Sequence, residues 1–111
     1  MYYELRIYDI APGRMKPAID RIANHAVQYW KKHGIKSILF GEPVIGKSNQ
    51  LIYVLQWESL AERDERWDPF VNDPGWVAVK NESEKDGPIV IKATNMILRE
   101  IPSIATLLHE V

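Results

Sequence analysis

Apolar and polar positions change period along this chain, and each change marks the edge of an element. Residues 2–10, Tyr-Tyr-Glu-Leu-Arg-Ile-Tyr-Asp-Ile, alternate with the period of a strand. Tyr3, Leu5 and Ile7 share one face, and Tyr2, Glu4, Arg6 and Tyr8 share the other. Ala11-Pro12-Gly13 is a turn. From Arg14 to Lys32 the period lengthens to that of a helix, with Met15, Ile19, Ile22, Ala26 and Tyr29 or Trp30 as its apolar stripe. Pro17 fits in the first turn, where a missing N–H is tolerated. Lys31-Lys32-His33-Gly34 places cations at the negative end of the helix dipole and a glycine where the chain must turn left-handed.

Residues 36–46 read as a second strand, and Gly41 and Pro43 within it predict an edge position with a bulge or bend. After a polar turn at 46–49, the third strand runs from Leu51 to Glu58 and pairs with the second as a hairpin. Leu51, Tyr53, Leu55 and Trp57 lie on one of its faces, Ile52, Val54 and Gln56 on the other. Ser59-Leu60-Ala61-Glu62 is a capping box, in which the Ser59 hydroxyl takes the Glu62 N–H and the Glu62 carboxylate reaches back to the Ser59 N–H. The helix it opens carries Leu60, Trp67, Phe70 and Val71 and is interrupted or kinked at Asp68-Pro69. Asp73-Pro74 starts a short helix that continues to about Glu84. Residues 89–99 form a fourth strand after the Asp86-Gly87-Pro88 turn, and the tail at 100–111 reads as partly helical.

The order β-α-β-β-α-β predicts an α+β, ferredoxin-like fold: a four-stranded antiparallel sheet with both helices on one face and strands one and three central. The helices leave one face open. Ile52 and Val54 suit the helix side, which would leave Glu4, Arg6 and Tyr8 with Tyr53, Leu55 and Trp57 on the open side. Aromatic residues on an open sheet indicate a partner surface. A second copy of the sheet would cover it, making Leu55 and Trp57 candidate dimer-interface residues.

With 111 residues, 46% of them hydrophobic and 26% charged, the chain has the make-up of one globular domain, 1–111. A net charge of -1 argues against nucleic acid and anionic membrane as partners. The lack of cysteine excludes disulfides and thiol chemistry. No apolar run approaches the roughly 18 residues of a membrane span. The first residues enter a strand pattern directly, without a leader pattern, so the expected location is cytoplasmic.

Candidate chemistry centres on the first strand. Glu4, Arg6 and Tyr8 share a face, with Glu4 as base or acceptor, Arg6 as anion clamp and Tyr8 as donor. The plainer reading is that Glu4 and Arg6 neutralise each other and hold the dimer. Asn95, Ile97 and Arg99 share a face of the neighbouring fourth strand. Together these give a candidate ligand pocket of Glu4, Arg6, Tyr8, Tyr53, Asn95 and Arg99. His25 with nearby Trp30 allows a haem reading; His33 at a helix end reads as a cap; His109 lies in the tail. The histidines and carboxylates have no metal-ligand spacing, Gly41 and Gly46 make no phosphate loop, and no cofactor is called for. Glu62–Asp68 reads as a solvated helix face.

These blocks resemble the NIPSNAP family. The resemblance is carried by Tyr3-Glu4-Leu5-Arg6-Ile7-Tyr8, Pro12-Gly13, Asn49-Gln50, Ser59-Leu60-Ala61-Glu62-Arg63, Asp73-Pro74-Gly75-Trp76 and Asn95-Met96-Ile97-Leu98-Arg99. It departs from the family pattern at Tyr53, where a histidine is frequent, and at Leu55, where an aromatic is. The resemblance implies a dimeric α/β barrel, two ferredoxin-like subunits with their sheets pressed together. The first functional reading is a homodimer that binds a small organic molecule between sheet and helices, with a cofactor-free enzyme as one form of it. The alternative is a non-catalytic protein-interaction module. A haem-binding or monooxygenase-like barrel comes third.

Overall fold

The computed structural model describes residues 1–109. Its elements are β1 (Tyr2–Ile10), α1 (Met15–Arg21), a π-helical segment (Ile22–Ala26), α2 (Val27–Lys32), β2 (Lys36–Gly41), β3 (Gln50–Trp57), α3 (Leu60–Val71), α4 (Pro74–Ser83), β4 (Val90–Arg99) and α5 (Pro102–Leu108). The four strands form one antiparallel sheet in the order β2-β3-β1-β4, so β1 and β3 are central, as expected of the ferredoxin-like plan. Among the described residues no helix is long and apolar enough to cross a membrane.

The stripe that seats the first helix runs through Ala18, Ile22, Ala26 and Trp30, while Ile19 is 43% exposed. Four-residue steps overshoot an α-helical turn by about 40° each, so three steps would carry the stripe about 120° around the helix. The wider turn at Ile22–Ala26 absorbs that drift and keeps the side chains on the sheet. Gly34, at φ 71°, then ends the helix in the left-handed conformation expected of it.

β2 is an edge strand whose register shifts between Ser37 and Leu39, as its glycine and proline suggested. It is shorter than 36–46 and stops at Gly41, so Pro43 lies beyond the ladder that it would have broken. Ser59 caps α3 by accepting the Glu62 N–H at 3.0 Å. The Glu62 carboxylate, however, takes the Glu58 N–H at 3.2 Å, one residue before the expected partner. α3 runs through Asp68-Pro69 to Val71 without a break. Asp73 caps α4, accepting the Gly75 N–H at 2.9 Å, with Pro74 as first residue. The tail forms α5; Glu110 and Val111, part of the tail read from the sequence, lie outside the described residues.

One expectation is reversed. Tyr53, Leu55 and Trp57 face the helices and are at most 1% exposed, packed with Ala26, Trp30 and Phe70. Ile52 and Val54 lie on the open face with Leu5 and Ile7, their cross-strand partners. Leu55 and Trp57 are therefore core residues of one chain and are not available as a dimer interface. Alternation fixes which residues share a face but leaves open which face the helices cover. Size decides it: the space beneath three helices must be filled at crystal-like density, and aromatic rings fill it where Ile and Val do not. The indole N–H of Trp57 also needs a buried acceptor, which it finds on β1.

Candidate functional site

Because β1 and β3 pair Glu4 with Leu55 and Arg6 with Tyr53, the polar face of β1 lies beneath the helices with the aromatic face of β3. Glu4 is fully buried there. Its carboxylate accepts from Arg6 Nη1 at 2.7 Å, Arg63 Nε at 2.7 Å, Arg63 Nη2 at 3.2 Å, Trp57 Nε1 at 3.1 Å and Asn95 Nδ2 at 3.1 Å. Burial alone would raise the carboxyl pKa, but the bonds from Arg63, Asn95 and Arg6 outweigh it and hold it at about 2. A carboxylate with five such contacts is poorly suited to take a proton. Glu4 fixes positions: it joins β1, β3, β4 and α3 at one point.

Arg6 leads from this cluster into a cavity of about 580 Å³ between the sheet and the helices. Its guanidinium lies over the Trp67 ring at 4.5 Å. Its Nε donates to Tyr53 Oη at 3.0 Å and to Tyr8 Oη at 3.3 Å, and the two phenols are 2.6 Å apart. Burial pushes the Tyr53 phenol well above its ordinary pKa, and the neighbouring Tyr8 adds to the effect. Trp30, Trp67, Phe70 and Trp76 form the aromatic wall. Arg21, 7% exposed at its side chain, pairs with Glu84 at 3.2 Å on the far side.

Of the six candidate pocket residues, Arg6, Tyr8 and Tyr53 line this cavity. Glu4 and Asn95 sit behind them in the carboxylate cluster. Arg99 lies opposite Tyr2 at the exposed end of β4, away from the cavity. His25 is exposed and lies in a groove with Asn24, Ala78 and Glu82, and it does not line the cavity that Trp30 lines. His33 meets Asp73 at 2.7 Å, and Lys32 meets the same carboxylate at 2.8 Å. These two partners, Lys32 first, hold the Asp73 carboxyl far below the usual range. Among the described residues no group of His, Cys, Asp and Glu could hold a metal ion.

The sequence reading missed Arg21, Arg63, Trp67 and Trp76 as site residues. Arg63 stands in the charged run 62–68, yet it does not face solvent, and Arg66 donates to the Gly34 carbonyl at 2.7 Å. The signal was there in the helical spacing of Arg63, Trp67 and Phe70, which puts an arginine on the same face as two aromatics.

The sheet and its helices superpose on several solved structures. A NIPSNAP family protein of unknown function from Agrobacterium tumefaciens aligns with TM-score 0.79 and 23% identity, covering 90% of this chain and 87% of that one. An uncharacterised NIPSNAP-like domain protein from Burkholderia xenovorans aligns with TM-score 0.80 and 21% identity over 90% and 84% of the two chains. A more distant likeness, TM-score 0.63 and 6% identity over 91% and 99%, is to a Nitrosomonas europaea protein proposed to be an antibiotic biosynthesis monooxygenase. At these identities the superpositions speak to fold alone. No curated protein matches the sequence. The NIPSNAP family model matches residues 3–103, nearly the whole chain, and the protein belongs to the NIPSNAP family.

Proposed function

We propose that this protein is a homodimer in which each subunit binds a small organic molecule in the cavity between sheet and helices. The observation that carries the reading is the cavity itself. Its volume of about 580 Å³ falls in the range of ordinary ligand sites, and three convergent polar side chains, Arg6, Tyr8 and Tyr53, meet an aromatic wall. Such a wall contributes most of the affinity for an apolar body, while the polar groups orient it. The dimer is supported by the open face of the sheet, where Met96 and Leu98 are each 51% exposed beside Tyr3, Leu5 and Val54. A fragment screen by ligand-observed NMR tests the binding. Ala93, cross-strand partner of Tyr8, lines the cavity, so Ala93→Trp places a ring in it. Hits are expected to be lost in that variant; hits bound equally by both proteins would show that the cavity is not the site. A second reading, a protein-interaction module, is supported by α5, where Leu107 and Leu108 are 62% and 67% exposed. Deleting the tail from Pro102 separates the two, since it would abolish partner capture and leave small-molecule binding intact.

A further inference from the structure

The hydrogen-bond inventory of the cavity has more donors than acceptors. Arg6 Nε carries one proton, shared between the two phenol oxygens at 3.0 and 3.3 Å. Tyr53 Oη has only Arg6 and Tyr8 as partners among the described residues, and its ring is 1% exposed. Arg6 offers it no acceptor. The Tyr53 proton must therefore go to Tyr8 Oη, 2.6 Å away, because the other arrangement leaves a buried donor unsatisfied. Tyr8 Oη then accepts twice, and its own proton has no protein acceptor among the described residues. Tyr8 lines the cavity. The chain of bonds runs Arg6 to Tyr53 to Tyr8 and ends with one free O–H at the cavity.

The surrounding charge has the same sense. Glu4 faces two guanidiniums, those of Arg6 and Arg63; the second carboxylate near Arg63, that of Asp64 at 3.7 Å, is on the solvent side, so Glu4 is the one anion that Arg6 meets. Arg6 Nη2 has no protein acceptor among the described residues. Arg21 and Glu84 balance each other, and Lys80 adds a cation at the rim with no carboxylate partner among the described residues. Arg21 Nε and Trp30 Nε1, on two more lining side chains, are buried donors without partners. Flat rings on Trp67, Phe70 and Trp76 complete the walls, with Phe70 and Trp76 at 5.1 Å between centroids.

We infer that the ligand carries an oxygen anion (carboxylate, enolate or phenolate) on a flat apolar body, and that Tyr8 donates the hydrogen bond to that oxygen. The inference rests on the cavity being the ligand site. Donors preset by a buried network, in a region of low dielectric, favour developed charge on oxygen over a neutral carbonyl. A cation would meet the wrong field, and a neutral hydrocarbon would leave the donors unpaired.

Three probes with one ring system test it: naphthoate, methylnaphthalene and naphthylmethylammonium, titrated by tryptophan fluorescence. Naphthoate is expected to bind at least tenfold more tightly than methylnaphthalene, about the difference one well-placed hydrogen bond to a charge makes, with the ammonium weakest. Tyr8→Phe, which keeps the ring and removes the hydroxyl, both the free proton and the oxygen that accepts from Arg6 and Tyr53, is expected to weaken naphthoate by about tenfold and to leave methylnaphthalene unchanged. Thermal unfolding of Tyr8→Phe as one cooperative transition, lowered by no more than the loss of the Tyr53 acceptor accounts for, guards against a folding defect. Equal affinity for naphthoate and methylnaphthalene, a preference for the ammonium, or an unchanged naphthoate affinity in Tyr8→Phe would overturn the inference while leaving the cavity as a binding site. If none of the three probes binds at millimolar concentration, the cavity reading itself falls, and the inference with it.

Discussion

Replacing Glu4 by glutamine removes one charge from the centre of the fold at almost constant volume. The parent carboxyl ionises at about 2 rather than 4.5, so ionisation stabilises the folded chain by about 3 kcal/mol at neutral pH. The amide of Glu4→Gln would also point an N–H₂ group at one of the donors of Arg6, Arg63, Trp57 or Asn95 and leave two guanidiniums without their anion. Breaking a buried charge pair from one side costs about 3–5 kcal/mol. That is a large part of the about 5–15 kcal/mol that holds a domain of this size. Urea unfolding of both proteins at one fixed protein concentration, followed by tryptophan fluorescence, measures the loss. The pH profile supplies the sign. A depressed folded pKa gives stability that is fully present above the unfolded value of 4.5 and is lost as pH falls through about 2. The parent is expected to lose about 3 kcal/mol across that window, and Glu4→Gln should lack this limb of the curve. A loss under about 1 kcal/mol at neutral pH, with the acid limb intact, would refute the account of Glu4 as a structural anion.

Ser59→Ala removes the cap of α3 and is expected to lower stability by about 1 kcal/mol, measured by the same unfolding. Gly75→Ala should destabilise by about 1–3 kcal/mol, because a Cβ there would meet the Tyr29 hydroxyl and ring where α2 and α4 approach; an unchanged melting temperature would count against that close contact. Val54→Lys, on the open face, is expected to give a folded monomer by light scattering, whereas Trp57→Lys should unfold the chain. A folded Trp57→Lys monomer would restore the opposite face assignment.

The architecture was largely legible because its signals are local. The alternation of β1, the Ser59 cap, the Asp73-Pro74 start and the Gly34 stop each act within a few residues of themselves. The orientation of the sheet was not legible, because Ile52 and Val54 on one face and Tyr53, Leu55 and Trp57 on the other are both apolar sets. Only the volume beneath the helices, a property of the assembled layers, separates them. The grouping of Glu4, Arg6, Tyr8 and Tyr53 followed from strand faces. Their division into an anion cluster and a cavity wall did not, since it depends on Arg63 arriving from α3, 59 residues along the chain from Glu4.

The four tryptophans provide the most direct test of the central claim, that a ligand enters between sheet and helices. Trp30, Trp67 and Trp76 line the cavity, while the Trp57 indole is occupied by Glu4 behind it. Their indole N–H signals can be followed one by one in a nitrogen-15 correlation spectrum as naphthoate is added. The account predicts saturable shifts of Trp67 and Trp76, smaller ones of Trp30, and a still Trp57. Shifts confined to backbone amides of the open sheet face, with all four indoles unmoved, would contradict it.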